Sequence, residues 1–217
     1  MFELVNVCKS YPIHHGKAVR QVLKNVNLRV EKGQKWGILG RNGAGKSTMI
    51  RLICGAELPH SGKINRDMTI SWPLAFGGTF QGSLTGRDNV KLICRLYNID
   101  FETCMAFVEE FAELGAYLRE PVKSYSSGMS SRLAFAISMS VEFDCFLIDE
   151  GMSVGDHRFH QKCDHELFGK RSDRAMIIVA HQMDLIRAHC DHAAVLENGE
   201  LTVFDTVEEA IDRYGSL

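Results

Sequence analysis

Gly40-Arg41-Asn42-Gly43-Ala44-Gly45-Lys46-Ser47 is the stretch that decides how this chain reads. It fits G-x-x-x-x-G-K-[ST] at every defined position. Upstream, the apolar run Lys35 to Leu39 predicts a strand, and Thr48 to Gly55 predicts a helix stopped by Gly55. A glycine-rich loop between a strand and a helix turns its amides inward, and the helix N-terminus adds roughly half a positive charge. Phosphate oxygens fit such a cradle, with Gly40 to Thr48 around them, Lys46 on the β and γ phosphates and the Ser47 hydroxyl on Mg²⁺. The loop by itself does not separate an ATPase from a GTPase or a kinase. A GTPase reads its base with an Asn-Lys-x-Asp motif, and no Asn-Lys pair occurs here, so ATP is the expected nucleotide.

A second apolar stretch, Phe143-Asp144-Cys145-Phe146-Leu147-Ile148, runs into two acids, Asp149 and Glu150. A strand ending so beside a phosphate loop suits Asp149 to Mg²⁺, and Glu150 to orienting or deprotonating the attacking water. Ile177-Ile178-Val179-Ala180 ends on His181, placed to sense the γ-phosphate. Between these halves, Ser126-Ser127-Gly128-Met129 opens a helix with free N–H and hydroxyl donors, a second anion-binding surface. One nucleotide hardly needs two such surfaces from one chain. The economical arrangement is a head-to-tail pair of copies, each closing over the other's ATP.

Composition fits this reading. The 217 residues are 45% hydrophobic and 24% charged, ordinary for a globular protein. A formal charge of -2 gives no basic footprint for general nucleic-acid binding. Leu133 to Val141 is the most apolar stretch and falls far short of the ~20 residues a spanning helix needs. The N-terminus lacks the pattern of a signal peptide, so a cytoplasmic location is expected, with membrane attachment through a partner. Seven cysteines without a CxxC predict reduced thiols. His157, His160, Cys163 and His165 share a short segment, but their spacing reads as a solvated helix face rather than a metal site.

The remaining elements follow from periodicity. Phe2 to Val7 and Val22 to Val30 alternate as strands. Residues 83 to about 139 read as helices, with Val90, Ile93, Leu96 and Tyr97 on one face and Phe107, Phe111 and Leu114 on another. Ala175 to Ala180, helix Met183 to His189, strand Ala193 to Leu196 and a helix from about Val207 to Tyr214 complete the chain. The outline is an α/β nucleotide-binding core with a helical insert.

Taken together, these motifs resemble those of an ABC transporter ATP-binding subunit over essentially the whole chain. The resemblance implies a P-loop NTPase core with a mixed sheet, an antiparallel β subdomain and a helical insert. It implies one ATP-binding domain over 1–217, its core at 1–82 and 141–217 and its helical part at about 83–140. Lys46 matches Walker A, Asp149 and Glu150 match Walker B with its catalytic glutamate, and His181 matches the switch histidine. Ser126 to Met129 occupies the signature motif, followed by Arg132, and Ser153-Val154-Gly155-Asp156 stands at the D-loop. Tyr11, thirty-five residues before Lys46, matches the adenine-stacking aromatic. Gln81 is the candidate Q-loop residue, which would touch both nucleotide and metal, although it stands only eight residues before Asn89. Ser127 replaces a usual glycine and Gly155 a usual alanine.

The segment from Ile70 to Val90, with Tyr125-Ser126-Ser127-Gly128-Met129, is similar to the ATP-binding proteins of group 2 capsular polysaccharide exporters of Gram-negative bacteria. That implies a separate membrane permease at the inner membrane, with a periplasmic adaptor and an outer-membrane channel beyond it. O-antigen and teichoic-acid exporters share much of the pattern, and a soluble ABC ATPase is a more distant alternative. Only 36 residues follow His181, too few for the carbohydrate-binding domain that some O-antigen exporters append. Trp72, Phe76 and Phe80 around Gly77-Gly78 are expected to receive a helix of the permease.

Overall fold

A computed structural model describes residues 1–13, 18–74, 80–149 and 157–217. These form two compact units. The first takes Met1–Pro73, Phe143–Glu150 and Asp173–Leu217, and the second Leu74–Glu142 and Gly151–Ser172.

The first unit holds two sheets. β1 (Phe2–Ile13), β2 (Ala18–Val30) and β4 (Ser61–Arg66) make an antiparallel sheet in the order β2-β1-β4. β3 (Lys35–Leu39), β5 (Cys145–Asp149), β6 (Ala175–Ala180), β7 (His192–Glu197) and β8 (Glu200–Phe204) make the other, in the order β5-β6-β3-β7-β8. Its first four strands are parallel, and β8 turns back antiparallel to β7. Every residue of β6 is buried, as an unbroken apolar run in a two-sided parallel sheet must be. Helix α1 (Lys46–Ile53) follows β3 and sinks Met49, Leu52 and Ile53 into a core shared with Phe2, Leu4 and Leu28 of the antiparallel sheet and Leu147 and Ile177 of the other.

β4 and β8 carry no apolar alternation strong enough to be read from sequence. Both pair along one side only, and few of their side chains are buried. An edge strand held mainly by its ladder leaves little imprint on hydropathy.

The second unit packs α2 (Gly86–Tyr97), α3 (Phe101–Ala112), α4 (Ser127–Ser140) and α5 (His157–Asp164) around an aromatic cluster. Phe111 stacks on Phe135 at 5.7 Å and meets Phe159 edge-on at 5.5 Å. Caps fix the helix starts: Thr85, Asp100 and Ser126 accept from Asp88, Thr103 and Met129 amides. The buried face of α2 differs from the expected one. Val90 and Ile93 are buried with Asn89 and Cys94, but Leu96 is 68% exposed and Tyr97 44%. Leu96 lies about 90° off the centre of that stripe at 3.6 residues per turn. Tyr97 is in the last turn, next to the left-handed Asn98 that ends the helix.

Two helices complete the first unit: α6 (Met183–His189) after β6, and α7 (Val207–Gly215) at the end. α6 packs closely on β3, where a Cβ on Gly37 would lie 2.5 Å from Ile186 Cγ2. We therefore predict that Gly37→Ala destabilises the protein by about 1–3 kcal/mol through overpacking. Adding Ile186→Val should recover part of that loss in a double-mutant cycle read by urea unfolding, and strict additivity would contradict the contact.

Candidate nucleotide-binding site

Strand register assembles the site. β5, β6 and β3 are parallel neighbours, so all three end on one edge of the sheet. Leu39 at the end of β3 pairs with Ala180 at the end of β6, and Asp149 at the end of β5 pairs with Val179. Gly40 with its loop, His181 and Asp149 therefore emerge at one level. Ligands of parallel sheets bind beyond these carboxyl ends. Glu150, the next residue after Asp149, lies outside the described residues, as do Ser153 to Asp156, Phe76, Gly77 and Gly78.

The loop is held open from below. Ala44 N–H donates to the Arg41 carbonyl at 3.1 Å, and Met49 N–H to the Gly45 carbonyl at 2.9 Å. Gly45 sits at φ 116, in the left-handed region. A Cβ there would lie 3.0 Å from Leu23 Cδ2 and 3.2 Å from the Val22 carbonyl, so β2 props the turn. At Gly43 an added Cβ would meet nothing within 4 Å, so the loop is open on that side. A hollow of about 270 Å³ lies there, lined by Asn42, Gly43, Gly45 to Thr48, Arg20 and Val22. Arg41 turns its guanidinium to the Leu217 carbonyl at 2.6 Å, and the buried Thr48 hydroxyl accepts from Arg51 at 3.3 Å.

Lys46 and Asp149 are half-buried and feel each other. Burial lowers the Lys46 pKa below the usual lysine range while Asp149 pulls it back up. Burial raises that of Asp149 while Lys46 pulls it back down. Lys46 Nζ donates to the Gly40 carbonyl at 2.6 Å, which aims the ammonium across the loop. An anion on the loop would hold Lys46 charged, and a divalent cation beside Asp149 and the exposed Ser47 would hold the carboxylate ionised. This donor set fits a nucleotide phosphate chain and a hard cation with oxygen ligands.

Tyr11 lies near the end of β1, its hydroxyl donating to Glu57 Oε2 at 2.5 Å and accepting from Arg51 at 3.1 Å. Lys9 Nζ stands 5.4 Å from its ring centroid. Glu57 is consequently held down to about 2, first by the Tyr11 hydroxyl and then by Lys9 and Arg51. The phenol is thus anchored at its oxygen, and its ring orientation is set by α1.

Gln81 and Ser126 to Met129 belong to the second unit. Gln81 is exposed, and Asn89 brackets its backbone, accepting from its N–H at 3.0 Å and donating to its carbonyl at 3.2 Å. Ser126 caps α4, with its Oγ accepting from Met129 N–H at 3.2 Å. Ser127 is the first helical residue and needs no glycine geometry. The exposed first turn presents the amides that every helix start leaves unpaired within itself.

Trp72 is half-buried and meets Phe143 edge-on at 5.3 Å inside the first unit. One expectation needs correction. The face carrying His157, His160, Cys163 and His165 is not uniformly solvated. The histidines are exposed, but Cys163 is fully buried beside Phe159 on the inner face of α5, and burial pushes its thiol up to about 12. One residue that sequence reading missed is Arg20, which lines the loop hollow from β2. A lone cation in a strand carries no motif, and only the β1–β2 pairing brings it there.

Comparison with known proteins agrees with this geometry. A family model described as "ABC transporter" matches residues 23–153. The chain belongs to the ABC transporter family. Among curated ABC relatives, the ATP-binding protein BexA of Haemophilus influenzae is 57% identical, covering 99% of this chain and 98% of its own length. The capsule polysaccharide export ATP-binding protein CtrD of Neisseria meningitidis is 56% identical over the full length of both. A dimeric ATP-binding cassette, MJ0796, solved with ADP and phosphate, superposes with a TM-score of 0.80 at 23% identity, covering 95% of this chain and 99% of that one, which establishes the ABC fold.

The Tyr11 anchor generates a titration prediction. Tyr11→Phe keeps the ring and removes the O–H, so the Glu57 carboxyl should rise from about 2 toward the ordinary range, read by carbon NMR. A depressed acid stabilises the fold above its unfolded pKa and loses that contribution as pH falls. The wild type should therefore shed stability between about pH 4.5 and 2 through this group, and the variant should keep only the smaller part that Lys9 and Arg51 supply. An unshifted Glu57 would contradict the anchor.

Proposed function

We propose that this chain is the ATP-hydrolysing subunit of an exporter that moves capsular polysaccharide across the inner membrane. The observation that carries the reading is the gathering of the phosphate loop, Asp149 and His181 on one edge of the parallel sheet. Full-length likeness to a relative named for capsule polysaccharide export supplies the cargo class.

The proposed roles follow from position. The loop amides from Gly43 to Ser47 and the Lys46 ammonium bind the β and γ phosphates. Mg²⁺, when bound, neutralises charge on those oxygens, and Ser47, Asp149 and Gln81 would hold it. Glu150 orients the attacking water and accepts its proton, and His181 positions the γ-phosphate. Tyr11 stacks on adenine, its plane set through Glu57 and Arg51. Ser126 to Met129 present α4 amides and hydroxyl to the ATP of a second copy, so two sites form only when two copies face each other head to tail.

No helix among the described residues is long and apolar enough to cross a membrane. In this reading the subunit works at the cytoplasmic face, held there by a separate permease. Closure of the pair strains the permease, and hydrolysis releases it. A periplasmic adaptor and an outer-membrane export protein complete the route without touching this chain.

Lys46→Ala should weaken ATP binding at least about tenfold, as loss of a charge-assisted contact does. Glu150→Gln should slow hydrolysis by about 10²–10⁴-fold yet keep ATP binding. Light scattering with Mg·ATP should then show this variant as a dimer. Normal turnover by Glu150→Gln would remove that residue from the mechanism. In a capsulated bacterium either variant should leave polysaccharide inside the cell, and unaltered surface capsule would refute the cargo assignment.

A further inference from the structure

Arg20 lines the hollow beside the phosphate loop. It pairs with Tyr11 across β1 and β2, and directly opposed residues of an antiparallel pair share a face. The register slips beside this pair, between Lys9–Leu23 and Ser10–Gln21, and leaves Val22 as an extra residue. Such a bulge re-aims the strand around it. Here it sets the Val22 carbonyl against Gly45 and brings Arg20 to the hollow at Asn42 and Gly43. Arg20 also borders a second hollow of about 520 Å³ that shares Asn42 and Gly43. The acid there, Glu197, accepts from Arg213 at 2.5 Å. Among the described residues the Arg20 side chain makes no hydrogen bond or ion pair. An exposed guanidinium with no protein partner, on the rim of an anion cradle, is available to a phosphate, which it can grip with two N–H groups at once.

We propose that Arg20 is a nucleotide-contacting residue, a second side-chain cation for the phosphate chain. It acts between the Tyr11 ring and the loop amides, at the end of the chain away from the γ-phosphate. The proposal rests on the reading of the loop as an ATP site.

The test is calorimetric titration of the purified chain with ADP at two salt concentrations, alongside melting without nucleotide. Arg20→Ala should weaken binding about tenfold, the scale of one charge-assisted contact. Arg20→Lys should lose less, because it keeps the charge without the fork. The salt dependence of Arg20→Ala should be shallower than that of the wild type. Melting without nucleotide should not change, since Arg20 is exposed and unpaired, while the upward shift given by ADP should shrink. Lys46→Ala is the gauge. If it loses affinity while Arg20→Ala binds ADP as the wild type does, the role of Arg20 is overturned and the ATP site stands. If the wild type does not bind ADP, the reading of the loop itself falls and takes this one with it.

Discussion

Lys46 and Asp149 carry opposite charges into a place where water is scarce, and most of the site follows from that placement. Each is pushed toward its neutral form by burial and drawn back by the other. Such a pair is poised to accept an anion on one side and a cation on the other, because each newcomer compensates the charge it meets. The parallel sheet makes the placement possible. Buried strands end together, and the residues just past those ends are the first that can be polar. The run of apolar side chains in β5 and β6 is therefore what delivers Asp149 and His181 to one edge.

The antiparallel sheet has a different task. β2 backs the phosphate loop at Gly45 through Val22 and Leu23, and β1 brings Tyr11 to the Glu57–Arg51 anchor. A mobile aromatic would give up part of its stacking energy to the entropy of being ordered. Here the ordering is done during folding. In the second unit the Phe111, Phe135 and Phe159 cluster steadies α4, whose capped first turn carries the signature residues. A rigid base under that turn matters if its amides must meet another copy's phosphates with little search.

The parts of this design that were legible in the sequence are those where one physical demand dominates. The loop needs glycines at set positions, and β3, β6 and α6 have the bounds that their apolar patterns predict. The helix read at Ser130 to Ser140 starts earlier, at Ser127, because Ser126 caps it. What escaped was decided by neighbours distant in sequence. β4 and β8 are defined by ladder pairing, Leu96 by its place off the buried stripe of α2, and Tyr97 by the end of that helix. Arg20 matters only because a strand pairing and a bulge carry it to the loop. Cys163 shows the reverse case, in which a residue type with metal chemistry is simply a small buried side chain.

The central claim is that one phosphate chain is shared between the sheet edge of one copy and the α4 start of another. A crystal structure of this chain with magnesium and a non-hydrolysable ATP analogue tests it most directly. The account predicts two facing copies, with the γ-phosphate touching Lys46 and His181 of one and Ser126 and Gly128 of the other, and the metal beside Ser47 and Asp149. An analogue bound away from the Gly40 to Ser47 loop, or held by one copy alone with the α4 start facing solvent, would contradict it.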